Sequence, residues 1–241
     1  MQDRIIENLA QNTYNLSYRY CGLSANLIIL SATVGREILY VIHNVTCGYA
    51  LNTPVQDKAG DGTYIYFYGQ GSYREDDIYM ARVPRAELES FTAYEYFAGR
   101  RADGTSLWTK NAAEARPLVE LENGGSSICV AYNEPLGKWM LTYYGTGIGN
   151  RIRFADTVDG IYSEAQTILS KNDAKSFINY KPAEGYPFTN YTKGTYNIYG
   201  AYVSSRWISE DGKSFYCILS QFYYCYNVSL VKVELDVTYA E

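Results

Sequence analysis

The sequence predicts an all-β fold made of repeated β-hairpins, and it favours a small β-propeller. Gly69, Gly145 and Gln221 occupy equivalent places in three hairpins, 76 residues apart each time. In each hairpin an aromatic-rich strand, a polar turn and a second strand follow one another, at 63–69 with 76–83, 138–145 with 150–157, and 214–221 with 227–235. A fixed spacing of this size is typical of repeat architectures rather than of one sandwich. In a propeller, such hairpins turn a common face toward a central pocket.

Composition supports the all-β prediction. The chain has 27 Tyr and 8 Phe, which favour strands, and few stretches follow the helical period. The one helix-like segment is a short turn over 84–88, where Pro84 is tolerated at the first position. Two apolar runs, 26–30 and 38–42, predict an early β-hairpin, because they are too short and interrupted for a membrane-spanning helix.

Size and charge bound the class of protein. With 241 residues and 47% hydrophobic content, the chain is long enough for a sizeable core, and no linker interrupts it. We therefore expect one domain over 1–241, and a monomer. The net charge is −5 and the Lys and Arg residues are scattered, which argues against nucleic acid. A neutral or polar ligand fits better, and no membrane partner is predicted.

Two features bear on localisation. Residues 1–4 are not followed by the apolar core of a secretory signal. Four glycosylation sequons, at Asn15, Asn44, Asn190 and Asn227, are compatible with secretion. We expect a secreted or extracellular protein on the second observation.

Cysteine and histidine usage excludes several chemistries. The five cysteines lack any C-x-x-C spacing, so they predict neither a zinc site nor a redox pair. Buried free thiols are the favoured interpretation, and a bridge between Cys217 and Cys225 across one hairpin is the alternative. His43 is the chain's one histidine, so a catalytic triad would depend on it, and histidine-rich metal sites are excluded. The glycine-rich segment 145–149 joins two strands and is a hairpin loop rather than a phosphate cradle.

Carboxylates and aromatic rings remain, and sugar-processing sites use both. Glycoside hydrolysis needs a carboxylic acid and a second carboxylate, while Tyr and Trp rings stack on sugars. Tyr199 and Tyr202 are the candidate pocket tyrosines, since most of the others are expected to pack in sheets. Ordinary solvated turn carboxylates are the alternative interpretation of every candidate acid. The candidate acids, in loops near strand starts, are Asp76, Asp77, Glu114, Glu122 and Glu134.

Several segments, in their order along the chain, resemble a known family. They are YIYFYGQG…DDIYMARVP, YEYFAG at 94–99 followed by Trp108, SICVAYNEPLGKWMLTYYG, RIRFADTVDGIYSEAQTIL, and IYGAYVSSRW…FYCILSQFYYCYNVSLVKVEL. Over about residues 50–236 the chain resembles the domain-of-unknown-function 4185 family. The joint order of the segments carries the resemblance.

The resemblance implies a five-bladed β-propeller related to glycoside hydrolases of the arabinanase and xylosidase type. It also implies a link to enzymes that cut D-arabinan in mycobacterial arabinogalactan. Arg153 matches the family's strand arginine, whose planar guanidinium suits a carboxylate or sugar hydroxyls; an ion pair between blades is the alternative. Trp108 is either a pocket wall or a residue packed between blades.

The chain also departs from the family pattern. Its first 50 residues lack the family's early Gly-Asp-Thr-like segment, so we expect an incomplete or atypical first blade. Residues 124–127 read Gly-Gly-Ser-Ser where the family often has an acidic residue, with Glu122 just upstream. Residues 204–206 read Ser-Ser-Arg in place of the family's His-Pro. These departures argue against catalysis.

Three functions therefore stay open. The favoured one is a glycoside hydrolase acting on a furanose-rich polysaccharide such as arabinan, with a carboxylate pair drawn from Asp76, Asp77, Glu122 and Glu134. The second is a carbohydrate-binding propeller without chemistry, and the third is a protein-interaction scaffold. No cofactor is predicted, although a calcium ion on the propeller axis stays open, since its oxygen ligands would come from several blades.

Overall fold

A computed structural model describes residues 29–34, 37–44, 49–56, 62–70, 75–173, 197–222 and 227–238, and their side chains over 62–70, 75–173, 200–219 and 228–238. Within these ranges the regular structure is almost entirely antiparallel β-strand, which confirms the all-β prediction. The chain divides into two compact units. The first comprises Met1–Ser72 and Asp77–Leu118, and the second comprises Tyr73–Asp76 and Val119–Glu241.

The described strands of the first unit form one antiparallel sheet in sequence order. They are β1 (Ile29–Val34), β2 (Glu37–Asn44), β3 (Tyr49–Gln56), β4 (Tyr64–Gln70), β5 (Tyr79–Pro84), β6 (Glu95–Arg100) and β7 (Ser106–Thr109). β1 pairs with β2 from Ile29 opposite Ile42 onward, which confirms the early hairpin. β4 pairs with β5, which confirms the first of the three repeated hairpins.

The core of the first unit follows from the two-residue alternation of its strands. Phe67, Ala81 and Tyr96 lie opposite one another on β4, β5 and β6, so their side chains share one face. Together with Val83 and Tyr94 they form a buried apolar cluster. Tyr68 and Met80, which pair on the opposite face, are fully buried as well, so both faces of this part of the sheet are covered.

The predicted helical turn after β5 is a 3-10 turn, Arg85–Glu87. Pro84 precedes it with φ of −55°, the value to which its ring restricts the backbone. Two further 3-10 turns, Phe91–Ala93 and Ala112–Glu114, lie in the connections of this unit. The side chain of Asn111 caps the last of them by accepting from the amide of Ala113 at 3.1 Å.

The second unit contains two antiparallel sheets in its described part. The first has the order β11-β10-β9-β8 and the second the order β12-β13-β14. The strands are β8 (Gly125–Asn133), β9 (Lys138–Gly145), β10 (Gly149–Ala155), β11 (Gln166–Ser170), β12 (Asn197–Ile208), β13 (Ser214–Phe222) and β14 (Asn227–Glu234). The pairs β9–β10 and β13–β14 confirm the other two repeated hairpins.

The two sheets of the second unit share one apolar core. Met140 and Ile152 of the first sheet pack in one cluster with Phe215 and Leu219 of the second. Polar contacts cross between the sheets as well, because the Thr142 hydroxyl donates to the carbonyl oxygen of Ala201. This unit is therefore held together by shared burial and by a few specific hydrogen bonds.

Cys129 and Cys217, the cysteines whose side chains the structure describes, are both free thiols in this core. The alternative of a Cys217–Cys225 bridge is therefore wrong, and Cys225 itself lies outside the described residues. The backbone amide of Val203 donates to Cys129 Sγ at 3.3 Å. Burial raises the pKa of the Cys129 thiol, and burial followed by proximity to Cys129 raises the pKa of Cys217 to about 11.

The described sheets have seven, four and three strands, and they do not close into a ring. The four-stranded sheet has the size of a propeller blade, whereas the seven-stranded sheet is larger than one. The five-bladed propeller with an atypical first blade stays a prediction. The expectation of one domain over 1–241 also stays a prediction.

Candidate functional site

Three glycines stand in register at one edge of the four-stranded sheet. β8 begins at Gly125, β9 ends at Gly145 and β10 begins at Gly149, and Gly145 pairs with both of the others. At Gly125 an added Cβ would lie 2.7 Å from a Leu121 methyl carbon and 3.0 Å from a backbone oxygen. At Gly149, where φ is +132°, it would lie 2.3 Å from a carbonyl oxygen. We call Gly125, Gly145 and Gly149 the glycine edge, where backbones approach closely.

A row of polar side chains lies one residue inside the glycine edge. Ser126 and Asn150 both pair with Tyr144, so the three side chains lie side by side on one face of the sheet. Ser126 is 0% exposed, Asn150 1% and Tyr144 4%. The hydroxyl of Ser126 and the Oδ1 atom of Asn150 have no hydrogen-bond partner in the part of the chain that the structure describes. Buried polar atoms are normally hydrogen-bonded, so Ser126 Oγ and Asn150 Oδ1 are each free to accept a hydrogen bond from a further group.

Backbone strain marks the same place. Ser127 has φ of +57°, the one positive φ outside glycine among the described residues. It sits in an irregular stretch of β8, where the register shifts between Ser126 and Cys129. Residues other than glycine adopt this conformation at a cost, and such strain concentrates at functional sites. Ser127 also lies in the segment where the family pattern predicts an acidic residue.

The structure separates two of the predicted carboxylates. Glu122 is exposed in the turn that precedes β8, at the glycine edge, whereas Glu134 is exposed just after the last residue of β8. β8 has nine residues, which at about 3.3 Å per residue puts its ends roughly 25 Å apart. A glycosidase pair lies about 5–9.5 Å apart. Glu122 and Glu134 therefore do not form a catalytic pair.

Asp76 and Asp77 precede β5 and are both half-buried. Neither is a free carboxylate, since each takes part in a polar or electrostatic interaction. Although they are neighbours in sequence, Asp76 belongs to the second unit and Asp77 to the first. Of the two, Asp76 is thus in the same unit as Glu122.

The carboxylate of Glu114 is hydrogen-bonded to side chains of its own turn. Its carboxylate accepts from the Thr109 hydroxyl at 2.8 Å and from Asn111 Nδ2 at 2.9 Å. These hydrogen bonds hold the pKa of Glu114 below its ordinary value. A general acid in a glycosidase needs the opposite shift, so the contacts of Glu114 are those of a residue that ties Thr109 and Asn111 into this turn.

Arg153 contacts a tyrosine and a loop. Its Nε donates to the Tyr143 hydroxyl at 3.2 Å, and its Nη1 donates to the carbonyl oxygen of Ser163 at 2.9 Å. The Ser163 hydroxyl in turn accepts from the amide of Phe154 at 3.0 Å. Arg153 therefore holds the segment after β10 against the sheet. This arrangement differs from both sequence-based alternatives, a guanidinium that binds ligand and an ion pair between blades.

Trp108 is half-buried and packs within the first unit, whereas its two expected roles, a pocket wall and packing between blades, stay predictions. Its ring lies 6.0 Å from that of Phe97 and 6.1 Å from that of Tyr66, measured between centroids. The guanidinium carbon of Arg82 lies 4.2 Å from the Trp108 centroid and 4.4 Å from the Tyr64 centroid. Arg82 thus bridges two rings, and the contacts of Trp108 are those of a packing residue.

The two predicted tyrosines have different outcomes. Tyr199 pairs with Ser220 through its backbone, and its side chain lies outside the described residues. Tyr202 lies on β12 between the core residues Ala201 and Val203, so its side chain points away from the core and is 40% exposed. An accessible tyrosine is available to a ligand.

Sequence reasoning missed Ser126 and Asn150 as candidate residues. The signal was present, because each follows a glycine at an inward position of a strand that otherwise carries apolar residues there. A small polar residue at a core position is the exception that indicates either a paired group or a ligand contact.

The described residues show neither a metal-binding cluster nor a membrane-spanning helix. In the described ranges, no three His, Cys, Asp or Glu side chains come together in a way that would hold a metal ion. The axial calcium ion stays a prediction. None of the helices in those ranges has the length and apolar character required to cross a bilayer.

The fold and the repeated hairpins define the class, an all-β protein of antiparallel sheets. The family described as "Domain of unknown function (DUF4185)" matches residues 36–232, and the chain belongs to that family. No curated protein matches the chain.

One solved structure with some similarity is from Bacteroides ovatus ATCC 8483 and is described as "a putative hydrolase". The two chains are 14% identical with a TM-score of 0.47, over 82% of this chain and 55% of that one. This chain thus spans about half the length of its structural neighbour. Similarity at this level carries no argument about activity.

Proposed function

We propose that the protein binds a furanose-rich polysaccharide such as arabinan at the glycine edge of its second unit. The observation that carries this proposal is that two of the three buried side-chain atoms without a hydrogen-bond partner in the described residues, Ser126 Oγ and Asn150 Oδ1, flank the same tyrosine; the third is Trp139 Nε1. Both belong to neutral groups, one of which donates and accepts while the other accepts. Both atoms are covered in this structure, so binding requires the glycine edge to open. Sugar hydroxyls would then supply the matching donors and acceptors without bringing a charge into a buried place.

Hydrolysis is the more specific form of this proposal. Glu122 stands at the glycine edge and is exposed, so it is the first carboxylate to test. The second carboxylate is Asp76, which belongs to the same unit. A protein that binds the glycan without cutting it is the alternative, favoured by the Gly-Gly-Ser-Ser segment that stands where the family often has an acid. A secreted five-bladed propeller is the architecture we propose for either form.

The first experiment measures reducing-end release from D-arabinan, L-arabinan and xylan. We compare the unaltered protein with Glu122→Gln, Asp76→Asn and Asp77→Asn, and with Glu134→Gln as the matched control at the other end of β8. Release that Glu122→Gln abolishes and Glu134→Gln leaves intact supports a hydrolase at the glycine edge. If no reducing ends are released from any of the three substrates, the proposal of a hydrolase is refuted.

The second experiment measures binding by affinity electrophoresis in gels that contain the same glycans. Ser126→Ala and Asn150→Ala are expected to reduce retardation several-fold. Removing an unpartnered buried hydroxyl does not weaken folding by a lost hydrogen bond, so Ser126→Ala should unfold at an unchanged or higher temperature. Unchanged retardation in both variants would mean that water, rather than a sugar hydroxyl, pairs these atoms, and it would refute the glycine edge as the site.

A further inference from the structure

Three exposed aromatic rings lie on the strands of the sheet β12-β13-β14. Tyr202 is 40% exposed, Trp207 38% and Tyr216 42%. Each is adjacent in sequence to a residue that packs in the core of the second unit: Tyr202 to Val203, Trp207 to Ile208 and Tyr216 to Phe215. Tyr202 and Tyr216 stand in paired positions of their strands, so their rings point away from that core. Trp207 is exposed in the irregular stretch of β12 between Val203 and Ile208, where the register shifts.

The register places two of these rings close to each other. Tyr202 is opposite Ile218, which is opposite Leu230, while Tyr216 is opposite Lys232. Tyr202 and Tyr216 are thus diagonal neighbours on adjacent strands, about 7–8 Å apart at their Cα atoms. Such spacing suits successive rings of one sugar chain.

The position of the Tyr202 ring is set by a glycine. Gly200 has φ of +76°, and a Cβ added there would come within 2.2 Å of a Tyr202 ring carbon. The ring therefore packs over Gly200, in a place that a larger residue would fill. A ring held in this way loses little freedom when a ligand stacks on it.

Charged groups lie on the same face as the rings. Lys232 Nζ donates to Glu234 at 2.8 Å, and both side chains are largely exposed beside Tyr216. On β14 these two residues continue the exposed series that begins with Val228 and Leu230. The face thus combines aromatic ring surface with a positively charged donor, Lys232, and a negatively charged acceptor, Glu234, and the net charge of this pair is zero.

This combination distinguishes a glycan from a protein partner. The centres of protein interfaces are depleted of Lys and Glu, whereas here a Lys–Glu pair stands on the strand beside Tyr216. Neutral sugars use both kinds of group, because their apolar ring faces stack on aromatics while their hydroxyls bond polar atoms. The absence of net charge in the pair also fits a neutral polymer.

We propose that Tyr202, Trp207 and Tyr216, with the Lys232–Glu234 pair, form a surface binding site for a neutral polysaccharide chain, separate from the glycine edge. We call it the aromatic face. This proposal takes only the class of ligand from the proposed function, and it requires neither hydrolysis nor a contact with the polar row. A second contact of this kind would hold a long polymer on the protein while another part of the chain is engaged elsewhere.

The test is affinity electrophoresis in L-arabinan, D-arabinan and xylan gels with Tyr202→Ala, Trp207→Ala and Tyr216→Ala. Each loss of a ring is expected to raise the apparent dissociation constant about two- to tenfold. Ile161→Ala is the matched control, since Ile161 is a 74% exposed apolar residue elsewhere in the second unit. Tyr216→Phe keeps the ring, and it is expected to keep most of the retardation.

The outcomes separate this proposal from the previous one. Weaker retardation in the ring variants with an unaffected Ser126→Ala supports the aromatic face and refutes the glycine edge, and the reverse pattern does the opposite. Thermal unfolding of every variant excludes misfolding as the cause. Unaltered retardation in all three ring variants overturns the proposal. So does concentration-dependent self-association that Trp207→Ala abolishes, since the face would then bind a second copy of the chain.

Discussion

The side-chain amide of Asn133 donates a 2.8 Å hydrogen bond to the carbonyl oxygen of Gly212. Asn133 ends β8, and Gly212 lies in the turn between β12 and β13, so the bond joins the two sheets of the second unit. Asn133 Oδ1 also accepts from the amide of Leu136 at 3.3 Å. One buried side chain thus connects a hairpin turn of each sheet.

Asn133→Ala should destabilise the protein by about 1–3 kcal/mol, because it leaves the carbonyl of Gly212 buried without its partner. Chemical denaturation measures the change. Asn123→Ala is the control, since Asn123 is exposed in a turn of the same unit. Equal midpoints for the two variants would show that the bond contributes nothing.

Gly149→Ala should cost more than about 2 kcal/mol, because the new Cβ meets backbone atoms that cannot move aside. The nearest are the Leu169 oxygen at 2.3 Å and the Lys171 nitrogen at 2.8 Å. Gly147→Ala is the control: its φ of +77° is also positive, near the left-handed region, but nothing lies within 4 Å. It should cost about 1 kcal/mol. A thermal unfolding series that ranks the two variants in reverse would contradict the close approach at the glycine edge.

The thiol of Cys217 should make stability fall as pH rises from about 9 to about 11. Its folded-state pKa of about 11 lies above the ordinary value of 9.0, so the folded protein keeps a proton that the unfolded chain releases. The stabilisation is complete below pH 9 and is lost through this window, by about 2 kcal/mol. Urea unfolding at several pH values measures it in the unaltered protein and in Cys217→Ala. All other groups titrate in both proteins, so a difference between the slopes of their unfolding free energies against pH reports on Cys217. Identical slopes would refute the raised pKa of this thiol.

Arg82→Lys should weaken the first unit by about 1 kcal/mol. The guanidinium lies between the rings of Tyr64 and Trp108, and its Nη2 pairs with Glu95 at 2.8 Å. An ammonium keeps the charge but loses the planar contact with both rings. Arg85→Lys on the exposed 3-10 turn is the control. If Arg82→Lys and Arg85→Lys unfold at the same temperature, the stacking of Arg82 on the two rings does not contribute to stability.

Local patterns predicted the hairpins well. The aromatic-rich character of β4, β9 and β13, each followed by a polar turn, is a property of neighbouring residues, and all three hairpins are present. The short turn after Pro84 was predictable for the same reason, since proline restricts its own backbone. The bridge between Cys217 and Cys225 was wrong because hairpin register alone does not determine whether two thiols meet.

The candidate site was less predictable. Glu122 and Glu134 look alike in sequence, as acids in turns beside strands, yet β8 separates them by its whole length. Arg153 and Trp108 were recognisable as notable residues, but their partners, Ser163 for the one and Arg82 for the other, come from other elements. Pairing between distant segments depends on packing that no local pattern encodes.

By itself the sequence determined the strand character of this protein, its repeated hairpins and its family, because these follow from residue order over short distances. Only the tertiary structure decided that Ser126 and Asn150 are buried without partners and that Tyr202, Trp207 and Tyr216 are exposed. Burial and exposure depend on which side of a sheet meets another sheet. That choice is made by the cooperative packing of a core whose members, such as Met140 and Phe215, are far apart along the chain.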